Sequence, residues 1–246
     1  MKINYLLMIV IALPVYLFSP ISGISNQLND LESEYHEHLA DFFHNSREVP
    51  GHLDLALKNY LKVQKTSILW KISRCYWLLG EAAVASTNKI KYFEQGYIYG
   101  EKALEADENI AESHLWYALS FGSLALEKGI MKTIYQKDVI KAALEKTISL
   151  NKKNIDAYLG LATWYFYVPE ILGGSKSKSF QILNKAISID HNYTMAYFVK
   201  ADFLKRTQQN KQAKKVLKAL LNIKTPSSVS GGIQDKANAV NLLSKL

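Results

Sequence analysis

The sequence predicts an all-α solenoid, in which helical hairpins stack side by side and capping helices close both ends. Three observations predict it. From Asn26 onward apolar residues recur at helical spacing, and no alternating strand pattern persists. Five prolines and twelve glycines in 246 residues leave little room for long coil segments. Four segments also share one register, starting at Ser67, Ala111, Ile155 and Thr194, with spacings of 44, 44 and 39 residues. Self-similarity at such a period marks stacked supersecondary units.

The elements follow in chain order. Met1-Lys2 gives a short positive start, and Tyr5 to Phe18 is apolar except for Pro14. Ser19, Pro20, Ser22, Gly23 and Ser25 follow, which completes the three-part form of a secretory signal peptide. The apolar run is short of the ~20 residues that span a bilayer. Residues 1–25 are therefore read as a signal peptide cut before Asn26, with an N-terminal anchor over Tyr5 to Ile24 as the alternative. Residues 26–246 are read as a single helical-repeat domain. Asn26 to Asn45 forms an acidic amphipathic helix, and Leu53 to Gln64 a shorter one after Pro50-Gly51. Repeats then occupy about 67–110, 111–154, 155–193 and 194–227, and Gly231-Gly232 precedes a C-terminal cap helix at 233–246.

Laid over one another, the repeats agree at their packing positions. The fourth residue is Trp70, His114, Tyr158 and Tyr197; the eighth is Arg74, Ala118, Ala162 and Ala201; the eleventh is Trp77, Phe121, Tyr165 and Leu204. In the second helices Ala103, Thr147, Ala186 and Leu220 correspond. A small residue lets two helix backbones approach, and an aromatic fills the space beside it. This register resembles the tetratricopeptide repeat, carried most clearly by YGEKALEADENIAESHLWYAL and LNKAISIDHNYTMAYFVKA. Glu108, Lys152, His191 and Thr225 replace the family proline. The first two repeats are longer than the 34-residue unit. Their extra residues fall between Gly80 and Phe93 and over Lys128 to Asp138, where they either lengthen helices or fold over the groove. In the third, Pro169 ends a helix, Gly173 and Gly174 permit a sharp turn, and Ser175 can cap the next helix. GGSKS is not a phosphate loop, because no strand precedes it and it lacks the Gly-Lys-Ser/Thr order after four spacers.

Several segments resemble two narrower families. They are SILWKISRCYWLLGE, GYIYGEKALEADENIAESHLWYAL, KGIMKTIYQKDVIKAALEKTISLN and YVPEILGGSKSK. One family is the periplasmic T component of TRAP transporters; the other is the repeat domain of the regulators of microtubule dynamics. With the export signal, the resemblance to the first implies an exported protein, periplasmic or tethered facing the periplasm. It also implies a solute-binding transport subunit as protein partner, a cavity for a hydrophobic ligand, and homo-oligomers. A general scaffold of envelope proteins is the alternative, or a microtubule regulator if the source is eukaryotic. T components are often lipid-anchored through a cysteine after the leader, and here the single cysteine is Cys75.

Carrying the repeat family's concave positions over gives an apolar partner or ligand groove of Leu78, Leu115, Leu119, Leu159, Phe166 and Phe198, either open or filled by the terminal helices. The formal net charge of +8 is uneven. Asn26 to Pro50 carries six acids and one Arg, whereas Lys200 to Leu246 carries ten Lys or Arg and two Asp. That favours head-to-tail assembly, or an acidic partner or anionic membrane at the basic end. Nucleic acid is not expected, since few aromatics interleave the basic segment. Neither are cofactors, and no catalytic arrangement is recognisable. Glu37, Asp41 and His44 share one helix face, a candidate metal site whose alternative reading is a solvated acidic surface.

Overall fold

The computed structural model describes residues 21–129 and 134–246, and the described residues contain helices and no strand. The leader expected over 1–25 lies outside them up to residue 20, as do Ile130 and Met131 of the second extension. The first described helix, α1, spans Ile21–Asn45 and so runs through the expected cleavage point before Asn26. Its hairpin partner α2 is His52–Tyr60, shorter than the expected 53–64. Gly51, at φ +82°, makes the corner between them in a conformation that strains a side chain-bearing residue.

Four hairpins follow. They are α3 (Leu69–Ala82) with α4 (Ser86–Ala106), α5 (Ala111–Lys128) with α6 (Lys137–Leu150), α7 (Ile155–Tyr167) with α8 (Lys176–Ile189), and α9 (Thr194–Arg206) with α10 (Asn210–Leu221). The last helix, α11, is Val229–Leu243. It begins before the two glycines rather than after them. Ser228 caps it by accepting from Gly231 N, and Gly232 lies so close to Pro226 that a Cβ there would stand 2.5 Å from the proline ring. The glycines are in the first turn because the chain doubles back on itself there.

Small-against-large packing joins the helices. A Cβ on Gly80 would fall 2.4 Å from the Phe93 ring, and one on Gly100 would fall 2.7 Å from Tyr117 Cα. Ala118, Ala162, Ala186 and Ala201 are wholly or nearly wholly buried. Trp77, Phe121 and Tyr165 pack in or against the central core around Leu115, Leu144 and Leu161. Residues between Gly80 and Phe93 enter α4, whose 21 residues make it the longest second helix.

The fourth residue of each of the last three units does more than pack. His114 Nε2 meets Glu108 O at 2.7 Å, Tyr158 Oη donates to Lys152 O at 3.2 Å, and Tyr197 Oη donates to His191 O at 3.1 Å. Each reaches back six residues to the turn before its helix. In the same turns Asp107, Asn151 and Asp190 accept from the backbone N–H two residues on. These side-chain turns supply the fixed geometry that proline gives elsewhere in the repeat family.

The turn after α7 is similarly determined. Glu170–Leu172 forms one 3₁₀ turn, Gly173 takes φ +98°, and a Cβ on Gly174 would sit 1.7 Å from Val168 O. Ser175 caps α8 by accepting from Lys178 N, and its own N–H donates to Tyr165 O at 2.8 Å. Tyr165 thereby joins the core and the turn.

Candidate binding groove and the corner that closes it

Five of the six residues expected to line an apolar groove, either open or filled by the terminal helices, are divided among three apolar clusters. Leu115 and Leu159 are 2% and 6% exposed. Leu115 and Leu119 belong to the central core, Leu159 and Phe166 to the next cluster, and Phe198 to the C-terminal one. Phe166 stacks on Phe203 with centroids 3.9 Å apart. Leu78 is half-buried on α3. The physical reason is that α7 is packed against α5, α6, α8 and α9. Apolar positions on such a helix fill the seams between hairpins before they can line a surface.

A polar cluster lies where the groove was expected. Lys71 of α3, with only 16% of its side chain exposed, donates at 3.0 Å to both Glu37 and Asp41 of α1. Tyr60 donates to Asp41, and Arg74 Nη2 donates to Tyr60 Oη at 3.3 Å. The α1–α2 corner continues the cluster toward the far end of the chain. Arg47 donates to His44 O at 3.2 Å and to Ser228 Oγ at 3.3 Å, and Ser230 donates to Asn45 O at 3.2 Å and to Glu48. Arg47 also feels the charges of Arg74, Asp156, Tyr193 and Glu48. The corner therefore sits among the first repeat, the third, the start of the fourth and the final helix.

The electrostatics follow from burying these groups together. Burial, then the cations Arg74, Arg47 and Lys71, pushes the His44 imidazole down to about 2, so it is neutral, and its Nδ1 has no hydrogen-bond partner. Burial raises the Asp156 carboxyl against the opposing bond from Tyr193 Oη at 2.5 Å. Burial also raises Asp235 to about 6, while Thr194 donates to it at 2.6 Å. Burial raises Asp41 less than its bonds to Tyr60 and Lys71 lower it, leaving it below the ordinary carboxylate. Burial pushes the Cys75 thiol up to about 12, so it stays protonated. Glu37 and Asp41 are thus committed to a lysine, and no group of metal-binding side chains assembles among the described residues.

Arg47, Asp156, Tyr193, Thr194 and Asp235 escaped the sequence reading. One signal was present. Gly232, Asp235, Ala239 and Leu242 lie on one face of α11 and are all buried, so an acid on that stripe had to meet a partner.

A model for regulators of microtubule dynamics proteins 1-3 matches residues 37–172, more than half of the chain. The chain belongs to this family. Regulator of microtubule dynamics protein 3 of Rattus norvegicus is 28% identical over 151 residues, 61% of this chain and 32% of that protein. Regulator of microtubule dynamics protein 1 of Bos taurus is 27% identical over 133 residues, 54% of this chain and 42% of that protein. The matched stretches thus span about a third to two fifths of those relatives. A thermophilic TPR protein of Thermus thermophilus superposes with a TM-score of 0.64 over 85% of this chain and 99% of its own, at 12% identity, which shows the shared fold.

Family membership corrects the expected location. The exported, periplasmic placement rested on the leader and on the resemblance to a transport subunit. The family is instead one of microtubule regulators with mammalian members, and the periplasmic placement falls. Of the two resemblances, the microtubule-regulator one is matched. No helix among the described residues is long and apolar enough to cross a membrane.

Proposed function

We propose that this chain is a non-catalytic, protein-binding repeat domain that acts on microtubules. Its family membership carries the reading. Two structural observations indicate how it would bind. Lys71 and Arg74 of the first repeat are taken up by α1 and α2, and Arg47 by Ser228, which leaves recognition to other surfaces. On the outside, α10 presents Lys211, Lys214, Lys215 and Lys218, all exposed and at spacings of three, one and three that gather them on one face. None of the four makes an ion pair among the described residues. The opposite face buries Ala213, Leu217 and Leu220, so the helix is held firmly while its lysines point outward.

Such a face suits an acidic protein polymer. Microtubules have an acidic outer surface, and attraction between opposite fields speeds encounter and weakens with salt. The test is co-pelleting of the full chain with microtubules, beside a variant with all four lysines changed to Glu. The wild type pellets, pellets less at high salt, and the variant stays in solution. Equal pelleting of the variant places the contact elsewhere on the chain. No pelleting of the wild type overturns the reading.

A further inference from the structure

The two ends of the chain both expose apolar stripes. On α1, Leu28, Leu31, Tyr35 and Phe42 are 60–61% exposed and fall on one face. The other face buries Ser33, His36, Ala40 and His44. Phe43 packs against the N-terminal core, but the four buried positions of that face are small or polar while four large apolar side chains turn to solvent. On α11, Val229, Ile233 and Val240 are 71%, 54% and 58% exposed, again along one face. Large apolar side chains exposed along one helix face in this way mark an interaction site.

Charge decides what covers the α1 stripe. From Asn26 to Asn45 the chain holds five acids and no Lys or Arg. Glu37 and Asp41 are paired with Lys71, which leaves Asp30, Glu32 and Glu34 exposed along the same helix. An anionic bilayer repels such a helix, and pairing α1 with itself across a twofold axis sets its acids against their copies. Residues 210–246 hold seven lysines and one acid, the buried Asp235. Complementary fields steer association and fix the choice of partner.

We propose that the partner is a second copy of this chain, with the α1 stripe of one copy docking on the α11 stripe of the next. Asp30, Glu32 and Glu34 then face the lysines of the C-terminal end. The contact uses two different surfaces, so it propagates head to tail into short chains or closes into a ring. It does not depend on the microtubule reading.

Sedimentation velocity on the full chain tests it, with serine chosen so that no charge changes. A head variant carries Leu31→Ser and Tyr35→Ser; a tail variant carries Ile233→Ser and Val240→Ser. All four positions are exposed, and circular dichroism checks that both variants keep the wild-type helicity. Wild type forms species above a dimer that grow with concentration and shrink with salt. Each variant alone drops to monomer. An equimolar mixture of the two forms a dimer and nothing larger, because one intact head meets one intact tail. A tail variant that associates as well as wild type shows α1 pairing with itself and overturns the proposal. A monomeric wild type, or a mixture that stays monomeric, overturns it equally. So does a monomeric wild type that binds phosphatidylserine vesicles through Leu31 and Tyr35, which assigns the stripe to a membrane.

Discussion

The central repeats and the corner that closes them hold together by different means. Leu115, Ala118, Leu144, Ala157 and Leu161 meet in an apolar core where glycine and alanine let backbones approach. Asn45 to Glu48 meet the groove through Arg47, Ser228, Ser230 and the charges of Asp156 and Asp235. Apolar burial is non-directional and additive over area. The polar corner depends on a few directional bonds, each worth about 1 kcal/mol net. The repeats therefore set stability, while the corner sets how the two ends of the chain sit together.

The largest effect expected from breaking this contrast lies in the core. Leu115→Ala removes a side chain that is 2% exposed, and should cost about 3 kcal/mol in urea unfolding. A loss below about 1 kcal/mol would return Leu115 to a surface role.

The corner should instead reveal itself through pH. His44 is neutral when folded and takes a proton near its ordinary 6.5 when unfolded. The unfolded state thus binds more protons, and stability falls as pH drops below 6.5. Asp235 acts in the opposite sense. Its raised value, about 6 against 3.8, makes the folded state bind the proton first, so stability rises as pH falls from 6 toward 4. Urea midpoints between pH 7 and 5 should therefore flatten in His44→Gln and fall more steeply in Asp235→Asn. Parallel profiles in both variants would show that the corner is hydrated and loosely held.

A smaller effect is expected at Ser228, which both caps α11 and receives Arg47. Ser228→Ala should cost about 1 kcal/mol. Faster hydrogen exchange should be confined to the corner and the first turn of α11. Exchange that rises equally in α5 and α7 would mean that the corner and the repeats are one cooperative unit.

The smallest effect on stability belongs to the exposed face of α10. Changing Lys211, Lys214, Lys215 and Lys218 singly to Ala should leave thermal stability within about 0.5 kcal/mol. The same changes should lower microtubule binding stepwise. A large loss of stability would give these lysines a structural role that their exposure does not indicate.

The fold was legible because it rests on local, repeated signals. Apolar spacing gave helices, and the shared register of Trp77, Phe121 and Tyr165 with Ala118, Ala162 and Ala201 gave stacked hairpins. The groove was not legible, for two reasons. Whether Leu115 or Leu159 faces a groove or the neighbouring hairpin depends on how the hairpins stack, which a single repeat does not encode. The corner's partners are also remote: Arg47 and Ser228 lie 181 residues apart, and nothing near either predicts the other. Tyr158 and Tyr197 were readable as packing residues, but their bonds to the preceding turn depend on where a hydroxyl ends, beyond the reach of a hydrophobic pattern.

The most direct test of the account is crosslinking of the microtubule-bound chain with a carboxylate-to-amine reagent, read by mass spectrometry. The account predicts crosslinks from acidic residues of tubulin to Lys211, Lys214, Lys215 and Lys218, and none to Lys71, which stays paired inside the closed groove. Crosslinks concentrated at Lys71, with α10 untouched, would show that the corner opens and that the chain grips its partner from within.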